Sequence, residues 1–255
     1  MSNPMGHPHA SGQGKTEIDV REHGAPRDGA PQVLERRLYM QLLVLETSSG
    51  ARVSTAARSL GESLVARRVA SVLYADVNHP GGLGLLSWTE DPKDFVDKVR
   101  PAFEDSPAEG LRIRPEFTML GRTYSSGFEP DLEYWLLRRP RETALDERWP
   151  WAVWYPLRRS GAFERLEGRE RGGILREHAE IGKAYGAADL AHDIRLACHG
   201  LDANDNEFVI GLIGKDLHPL SHVVQAMRKT RQTSEFINQM GPFFVGNVIF
   251  RNTGG

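Results

Sequence analysis

The chain has 255 residues, of which 40% are hydrophobic and 26% are charged, and its formal net charge is −2 at pH 7. This composition is ordinary for a globular protein, and the near-neutral charge gives no electrostatic basis for binding nucleic acid or an acidic membrane surface. Cys198 is the only cysteine, which excludes an intrachain disulfide and a thiolate metal cluster and fits a cytoplasmic location, and the sequence shows neither a transmembrane run nor a signal peptide.

Residues 1–33 are predicted to be a flexible N-terminal tail. From Met1 to about Pro31 the sequence is rich in glycine, proline, histidine, serine and charge, and it has no period. We expect His7 and His9 to be solvent-exposed residues of this tail rather than ligands of a metal.

The first half, residues 34–124, is predicted to follow the order strand, helix, strand, strand, helix, strand. These elements are expected at residues 38–45, 54–69, 70–75, 83–88, 91–103 and 115–120. Pro92 suits the first position of the second helix. The glycines at 81, 82 and 84 lie between two strands instead of between a strand and a helix, so they do not form a dinucleotide-binding loop.

The second half, residues 149–255, repeats this order after a connector at residues 125–148. Its elements are expected at residues 151–157, 164–185, 190–198, 207–213, a helix that opens at His218-Pro219, and 242–250. The predicted fold class is therefore α+β, with two ferredoxin-like β-α-β-β-α-β repeats forming a dimeric α+β barrel within one chain. Two sheets that pack face to face predict a ligand cavity between them.

His178 interrupts the apolar face of the helix predicted at residues 164–185. Ile174, His178, Ile181 and Tyr185 are spaced four, three and four residues apart and share that face. A buried imidazole without a partner costs about 1–3 kcal/mol. The pattern therefore predicts a partner for His178, which is either a neighbouring hydrogen-bonding group in the core or a metal.

Four segments of the second half resemble motifs of the chlorite dismutase family, and they occur in the family's order. They are residues 154–159 (WYPLRR), which resemble a Tyr-Pro-x-x-Lys strand, residues 175–182 (LREHAEIG), which resemble the histidine-bearing helix, residues 200–209 (GLDANDNEFV), which resemble a Gly-Leu-Asp-Asp-x-Glu-Phe hairpin, and residues 241–246 (GPFFVG), which resemble the closing strand. The doubled ferredoxin-like plan is also the architecture of that family.

The resemblance implies heme b or a related porphyrin such as coproheme between sheet and helices, with His178 as the proximal iron ligand. Family members split chlorite into chloride and dioxygen, act as weak peroxidases, or decarboxylate coproheme to heme b. The resemblance further implies a small-molecule substrate and a homo-oligomer, often a pentamer.

The resemblance also assigns residues around the heme. Tyr155 matches the strand tyrosine that decarboxylases use as a radical site, although a structural role is equally consistent with its position. Arg159 replaces a family lysine and is expected to hold a propionate, whereas Arg158 points to the other face of the strand. Phe163 replaces a heme-flanking tryptophan, so the aromatic wall stays and the N–H donor is lost.

Two residues compete for the distal position over the iron. Counting back from Gly200 gives Asp193, and a two-residue bulge would bring Arg195 there instead. Both side chains point to the same side of their strand, and Ile194, Leu196 and Cys198 are expected to face the helices. An arginine would stabilise an oxyanion and an aspartate could relay protons, but the two could also simply pair with each other.

Gln232 falls where the family has a glutamate bonded to the proximal imidazole. A neutral amide makes the histidine a weaker donor to iron than a carboxylate does. Glu235, one helical turn later, is a weaker candidate for the same role.

Three functions for the heme site therefore remain open. They are a chlorite dismutase-like or peroxidase-like oxidoreductase, a coproheme decarboxylase, and a heme carrier or sensor without turnover. A fourth interpretation is a non-heme metal site at His218 and His222, whose i, i+4 spacing can chelate a metal.

Overall fold

The computed structural model describes residues 18–47, 52–104 and 110–255. The strands in these ranges are β1 (Glu22–Arg27), β2 (Ala30–Leu34), β3 (Tyr39–Thr47), β4 (Ser71–Asp76), β5 (Gly82–Thr89), β6 (Leu111–Ile113), β7 (Met119–Arg122), β8 (Trp151–Arg159), β9 (His192–Ala197), β10 (Phe208–Gly214), β11 (Ile237–Met240) and β12 (Phe244–Asn252). The helices are α1 (Val53–Ala66), α2 (Arg100–Glu104), α3 (Arg139–Leu145), α4 (Gly161–Glu164), α5 (Gly168–Ala187), α6 (Leu217–Met227) and α7 (Arg231–Phe236). The tail histidines His7 and His9 lie outside the described residues.

Several predicted elements differ from the observed ones at their ends. The strand predicted at residues 115–120 begins instead as a 3-10 turn, Pro115–Phe117, and only Met119–Arg122 is extended. Proline lacks an N–H donor for a strand ladder, which explains the turn. The helix predicted at residues 164–185 begins at Gly168 instead, and α4 is a separate helical turn that ends at Glu164. The break allows Phe163 and Leu166 to pack with Ile174 of α5.

Residues 22–34 form a β-hairpin, so the prediction of a flexible tail is wrong for this part of the chain. Strand β1 pairs antiparallel with β2, and Asp28 and Gly29 connect them. Both have positive φ, 53° and 80°. A two-residue turn with two positive φ values matches the twist of paired strands and favours Asp-Gly.

The connector predicted at residues 125–148 is largely helical. A π-helical turn, Tyr134–Arg138, leads directly into α3. Leu132, Leu136, Leu137 and Ala144 are buried in the same cluster as core residues of both halves. The connector therefore covers part of the central core instead of crossing over solvent.

Ten of the strands form one antiparallel sheet that closes on itself. The ring runs β10-β9-β7-β3-β5-β4-β12-β8, and β8 pairs with β10 again to close it. Strands β6 and β11 extend the ring beside β3 and β8. The two joins between the halves differ in length, because β4 and β12 pair from Asp76↔Gly246 to Ser71↔Asn252, whereas β7 and β9 pair only at Arg122↔Ala197.

The interior of the ring is filled by side chains, so the prediction of a ligand cavity between the two sheets is wrong. Large rings occupy it, including Trp154 and Phe244, which are at most 1% exposed. Glycines face these rings: a Cβ on Gly211 would lie 2.5 Å from the Trp154 ring, and one on Gly84 would collide with Phe244. Paired large and small residues fill the space that a cavity would need.

Helices cover the outer face of the ring. Helix α1 packs on the first half. On the second half α6 lies directly on β8 and β10, while α5 packs along α6 and α7 and approaches β9. Within the described ranges, no helix has the length and apolar character needed to cross a bilayer.

Candidate functional site

The outer face of the second half carries a row of cross-strand neighbours. Tyr155 of β8 pairs with Ile210 of β10, which pairs with Arg195 of β9. The next row contains Asp193 opposite Leu212. Tyr155, Ile210 and Leu212 belong to the cluster that α5 and α6 cover. These two rows place Tyr155, Arg195 and Asp193 on one surface beneath helices.

The direction predicted for the other residues of β9 is wrong. Ile194, Leu196 and Cys198 were expected to face the helices, but they are buried in the interior of the ring with Trp154. Alternation along the strand correctly separates them from Asp193 and Arg195. Because the ring is closed, these three residues are buried in its apolar interior, and the two charged residues lie on its outer face.

His178 on α5 lies across from these charged residues. Burial and the Arg195 guanidinium lower the pKa of His178, and the carboxylates of Asp193 and Glu177 act in the opposite direction. The imidazole is therefore neutral at pH 7. Its Nδ1 atom is buried and has no hydrogen-bond partner among the described residues. Ile174, on the same helical face, is buried against Phe163 and Phe236.

Asp193 and Arg195 form an ion pair, with Nε and Oδ2 3.0 Å apart. Arg139 of α3 donates to the other carboxylate oxygen at 2.7 Å and to the Asp193 carbonyl at 2.8 Å. Burial alone would raise the pKa of Asp193, but the charges of Arg195 and Arg139 outweigh burial and lower it. Asp193 is therefore an ionised carboxylate held between two guanidinium groups.

Arg195 lines a recess between the sheet and α5. Strand β9 has neighbours on both edges, and the Arg195 side chain points toward a helix-covered face, yet 43% of it is exposed. A side chain with this much surface in the middle of a sheet implies an opening between β9 and α5, which we call the cleft. His178 on α5 and Arg195 on β9 are close enough to act on each other electrostatically across it.

Tyr124, which follows β7 in the first half, also reaches the cleft. Its ring lies 5.5 Å from the ring of Phe208 on β10. Burial raises the pKa of its hydroxyl, while Arg195 and Arg159 act against that shift. Neither Tyr124 nor Arg139 was identified from the sequence, because only the β7–β9 join and the packing of α3 bring them to this half.

Tyr155 is 5% exposed and stacks on Phe243, with ring centroids 4.7 Å apart. Burial raises its pKa strongly, Asp193 adds to the rise, and Arg228 at the end of α6 opposes it. The phenol is therefore neutral near pH 7 and lies within electrostatic range of a cation that the sequence analysis missed.

Arg159 shares the outer face with Tyr155, but its guanidinium is already engaged. Glu207 accepts from its Nε at 2.9 Å and from its backbone N–H at 2.7 Å, and Glu164 lies 3.2 Å from Nη2. The guanidinium also covers the Phe163 ring at 4.4 Å. A propionate at Arg159 stays a prediction, and it would have to compete with these carboxylates.

His218 and His222 lie outside the cleft at the start of α6. Both are exposed, their ring centroids are 6.0 Å apart, and His222 Nδ1 contacts the Tyr185 hydroxyl. Within the described part of the chain, no group of three or more His, Cys, Asp or Glu residues is arranged to hold a metal.

A family model described as chlorite dismutase matches residues 56–249, which is about three quarters of the sequence. The chain belongs to the chlorite dismutase family. No curated protein matches its sequence.

Solved structures with this fold include a novel heme-binding protein from Thermus thermophilus, with a TM-score of 0.65 and 16% identity over 84% of this chain and 92% of that one. They also include a double mutant of chlorite dismutase from Candidatus Nitrospira defluvii (TM-score 0.65, 14% identity, 85% and 93% coverage) and a single mutant of it in complex with cyanide (0.66, 14%, 85% and 92%). The mixed α+β fold with its large antiparallel sheet is the fold of these chlorite dismutase-like structures.

The residue types at the cleft are chemically suited to holding a heme, as expected in a member of the chlorite dismutase family. A neutral imidazole is a suitable axial ligand, and a ligating histidine normally donates its other N–H to a neighbouring acceptor. Such an acceptor is close in the fold, because α7 packs against α5 and carries Gln232, which is 8% exposed. The Gln232 Oε1 atom is buried and, like His178 Nδ1, has no partner among the described residues.

Proposed function

We propose that this chain binds heme b or coproheme in the cleft between α5 and the outer face of the second half, with His178 as the proximal iron ligand. The observation that carries the proposal is the position of His178, a half-buried neutral histidine whose Nδ1 atom has no partner among the described residues and whose helix faces Arg195 across an open cleft. In a member of the chlorite dismutase family, this arrangement favours a ligand over a core histidine satisfied by a neighbour.

The residues of the cleft then have distinct roles. His178 would supply the lone pair for iron, and Gln232 would accept a hydrogen bond from its Nδ1–H. A heme held here would supply a redox-active iron. Arg195 presents a positive charge to that side of the cleft, where it attracts a small anion and stabilises developing negative charge. Phe163 is 1% exposed and packs behind Ile174, so it supports α5 from within the core.

The function that this arrangement supports best is a heme-dependent oxidoreductase of the chlorite dismutase type, acting on chlorite or as a weak peroxidase. Asp193 would repel an anionic substrate if its charge were free. The ion pairs with Arg139 and Arg195 compensate that charge. Arg195, rather than Asp193, is therefore the proposed distal residue.

A coproheme decarboxylase is the second candidate, and the surroundings of Tyr155 favour it. Tyr155 shares its cross-strand row with Arg195, and Arg228 supplies a cation near its hydroxyl. A propionate bound near Arg228 would lie beside a phenol that is protonated and available for oxidation. Tyr155→Phe should then abolish conversion of coproheme while Tyr124→Phe, in the same cleft, retains it. Equal conversion by both variants would exclude this role.

A heme carrier or sensor is the third candidate, and Gln232 favours it because a neutral amide supports high-valent iron less than a carboxylate does. This candidate predicts that bound heme stays intact and inert toward peroxide and chlorite. Rapid turnover would exclude it.

The test of the heme site is a titration of the heme-free protein with ferric heme b and with coproheme, followed at the Soret band. We expect saturable binding of one heme per chain, lost or spectrally altered in His178→Ala and unchanged in His222→Ala, which removes an exposed histidine outside the cleft. Identical spectra for the wild type and His178→Ala would exclude His178 as the ligand.

We further propose that the two halves are ferredoxin-like repeats of one α+β barrel. Each half contributes four strands to the ring. Numbered along the chain, they lie side by side in the order fourth, first, third, second, which is β7-β3-β5-β4 in the first half and β12-β8-β10-β9 in the second. This is the strand order of a β-α-β-β-α-β unit whose helices cover one face. Assembly into a homo-oligomer, with a pentamer as the expected size, stays a prediction that analytical ultracentrifugation can test.

A further inference from the structure

Arg139 links the connector to the cleft in a way that the sequence did not reveal. It belongs to α3, and its guanidinium lies over the Trp135 ring at 4.6 Å. Only 19% of its side chain is exposed. Two of its N–H groups are bound to Asp193, one on the carbonyl and one on Oδ1. The Arg139 guanidinium is therefore held by three contacts, with the Trp135 ring, the Asp193 carbonyl and the Asp193 carboxylate, and these contacts orient it in the absence of a ligand.

The two oxygens of Asp193 are divided between two arginines. Oδ1 accepts from Arg139 at 2.7 Å, and Oδ2 lies 3.0 Å from Arg195 Nε. Among the described residues Asp193 is the only ion-pair partner of Arg195. The Arg195 side chain is 43% exposed, so it keeps surface that a ligand can reach.

The charges of the three residues add to +1, since two arginines share one carboxylate. Without Arg139, both oxygens of Asp193 would be available to Arg195, and a carboxylate and a guanidinium form a neutral two-bond pair. The cleft would then present no net positive charge at this point. Glu129, the other carboxylate whose charge acts on Arg195, forms no ion pair with it among the described residues and accepts hydrogen bonds from Ser125 and Ser126.

We propose that Arg139 is a positioning residue that occupies one oxygen of Asp193 and thereby leaves the cleft edge of Arg195 positively charged and free to bind a small monovalent oxyanion. Asp193 in turn fixes the Nε edge of Arg195, so that its other nitrogens point into the cleft. The proposal deepens the proposed function and rests on it for the location of the ligand opposite His178. It assigns Arg139 and Asp193 opposite effects on anion affinity.

The test uses the heme-free protein labelled with 15N-arginine and sodium nitrite as the anion. The Nε–Hε signal of Arg195 is assigned by its disappearance in Arg195→Lys. In the wild type this signal should shift saturably with nitrite. We expect Arg139→Gln to weaken nitrite binding roughly tenfold, and Asp193→Asn to strengthen it by a similar factor. The double variant should return to the wild-type affinity, because its net charge at this point is again +1.

Two further variants separate electrostatics from folding. Arg139→Lys keeps the charge and should keep most of the affinity. Arg138→Gln removes the adjacent arginine, which is 56% exposed and pairs with Asp131, and should change nothing. If circular dichroism shows that Arg139→Gln does not fold, Asp193→Asn alone tests the proposal. Only an effect of charge predicts that this variant binds nitrite more tightly than the wild type.

An unchanged or weaker nitrite affinity in Asp193→Asn would overturn the proposal, as would the absence of any nitrite-dependent shift of the Arg195 signal in the wild type. Because the protein contains no heme in this experiment, its result is independent of the Soret titration. The anion site can therefore stand if heme binding fails, and heme binding can stand if the anion site fails.

Discussion

His178 on α5 and Arg195 on β9 act on each other across the cleft, although they come from different layers of the second half. Burial lowers the pKa of His178 and the Arg195 charge lowers it further. A positive group on the sheet thus helps to keep the imidazole of the helix uncharged. In the proposed function these two side chains lie on opposite sides of the heme.

His178→Leu should stabilise the heme-free protein and abolish specific heme binding. Leucine removes a buried nitrogen that has no partner among the described residues and adds apolar contact, so we expect the free energy of unfolding to rise by about 1–2 kcal/mol. Urea denaturation without heme measures it. His192→Leu is the matched control and should destabilise, because His192 stacks on Trp149 at 3.6 Å and bonds Asp189 at 2.8 Å. Destabilisation by both variants would indicate that His178 has a structural partner.

Gln232→Glu should lower the reduction potential of bound heme and raise the rate of peroxide turnover. A carboxylate that accepts the Nδ1–H of His178 makes the imidazole a stronger donor and favours ferric iron. Spectroelectrochemistry measures the potential. Glu235→Gln is the control, because Glu235 is 50% exposed and pairs with Arg231. An unchanged potential in Gln232→Glu would mean that residue 232 does not contact the ligand histidine.

Glu129→Gln should destabilise the protein at pH 7 by about 2 kcal/mol, since the carboxylate is 6% exposed and accepts from the backbone N–H groups of Ser126 and Gly127 at 2.8 and 3.0 Å. Burial acts to raise the pKa of Glu129, but hydrogen bonds from Ser125 and Ser126 outweigh it, and the pKa lies below 4.5. The stabilisation is therefore complete above pH 4.5 and is lost as the pH falls through the lowered folded-state pKa.

Urea denaturation at pH 7 and at several values below pH 4.5 tests both parts of this prediction. The variant should show a shallower loss of stability in acid than the wild type. Glu133→Gln removes a carboxylate that is 57% exposed and should change stability by less than about 0.5 kcal/mol. Parallel acid profiles for the wild type and Glu129→Gln would contradict the assignment.

Gly211→Ala should destabilise the protein by about 1–3 kcal/mol, because the added methyl group meets the Trp154 ring inside a filled barrel. Thermal unfolding measures the loss. Gly172→Ala, in α5, has no atom within 4 Å of the new methyl group and should instead stabilise by about 0.5–1 kcal/mol through helix propensity. Tolerance of alanine at residue 211 would indicate a void in the barrel interior.

Local patterns in the sequence were sufficient to locate much of the second half. The face shared by Ile174 and His178 was visible from helical spacing, and alternation along β9 placed Asp193 and Arg195 on one side. Alternation shows only which residues share a side of the strand, however. Which of the two sides faces the interior depends on closure of the ring, so the direction predicted for Ile194, Leu196 and Cys198 was wrong.

The residues that the sequence could not supply depend on long-range pairing. Tyr124 reaches the cleft because β7 joins β9, and Arg139 reaches it because α3 packs near β9. Neither contact leaves a periodic signal. The hairpin at residues 22–34 is different, because Asp28-Gly29 is a strong local turn signal, although the segment around it is polar and has no hydrophobic period.

The unequal joins of the ring have a consequence for local opening. One join is long, but the other depends on the single pairing of Arg122 with Ala197. Amide hydrogens beside the short join should exchange with solvent sooner than those of β4 and β12, because fewer ladder bonds must break there. Tyr124 and Arg195 flank this join. The part of the barrel that opens locally at the lowest free energy is therefore also the edge of the cleft, where a small ligand would enter.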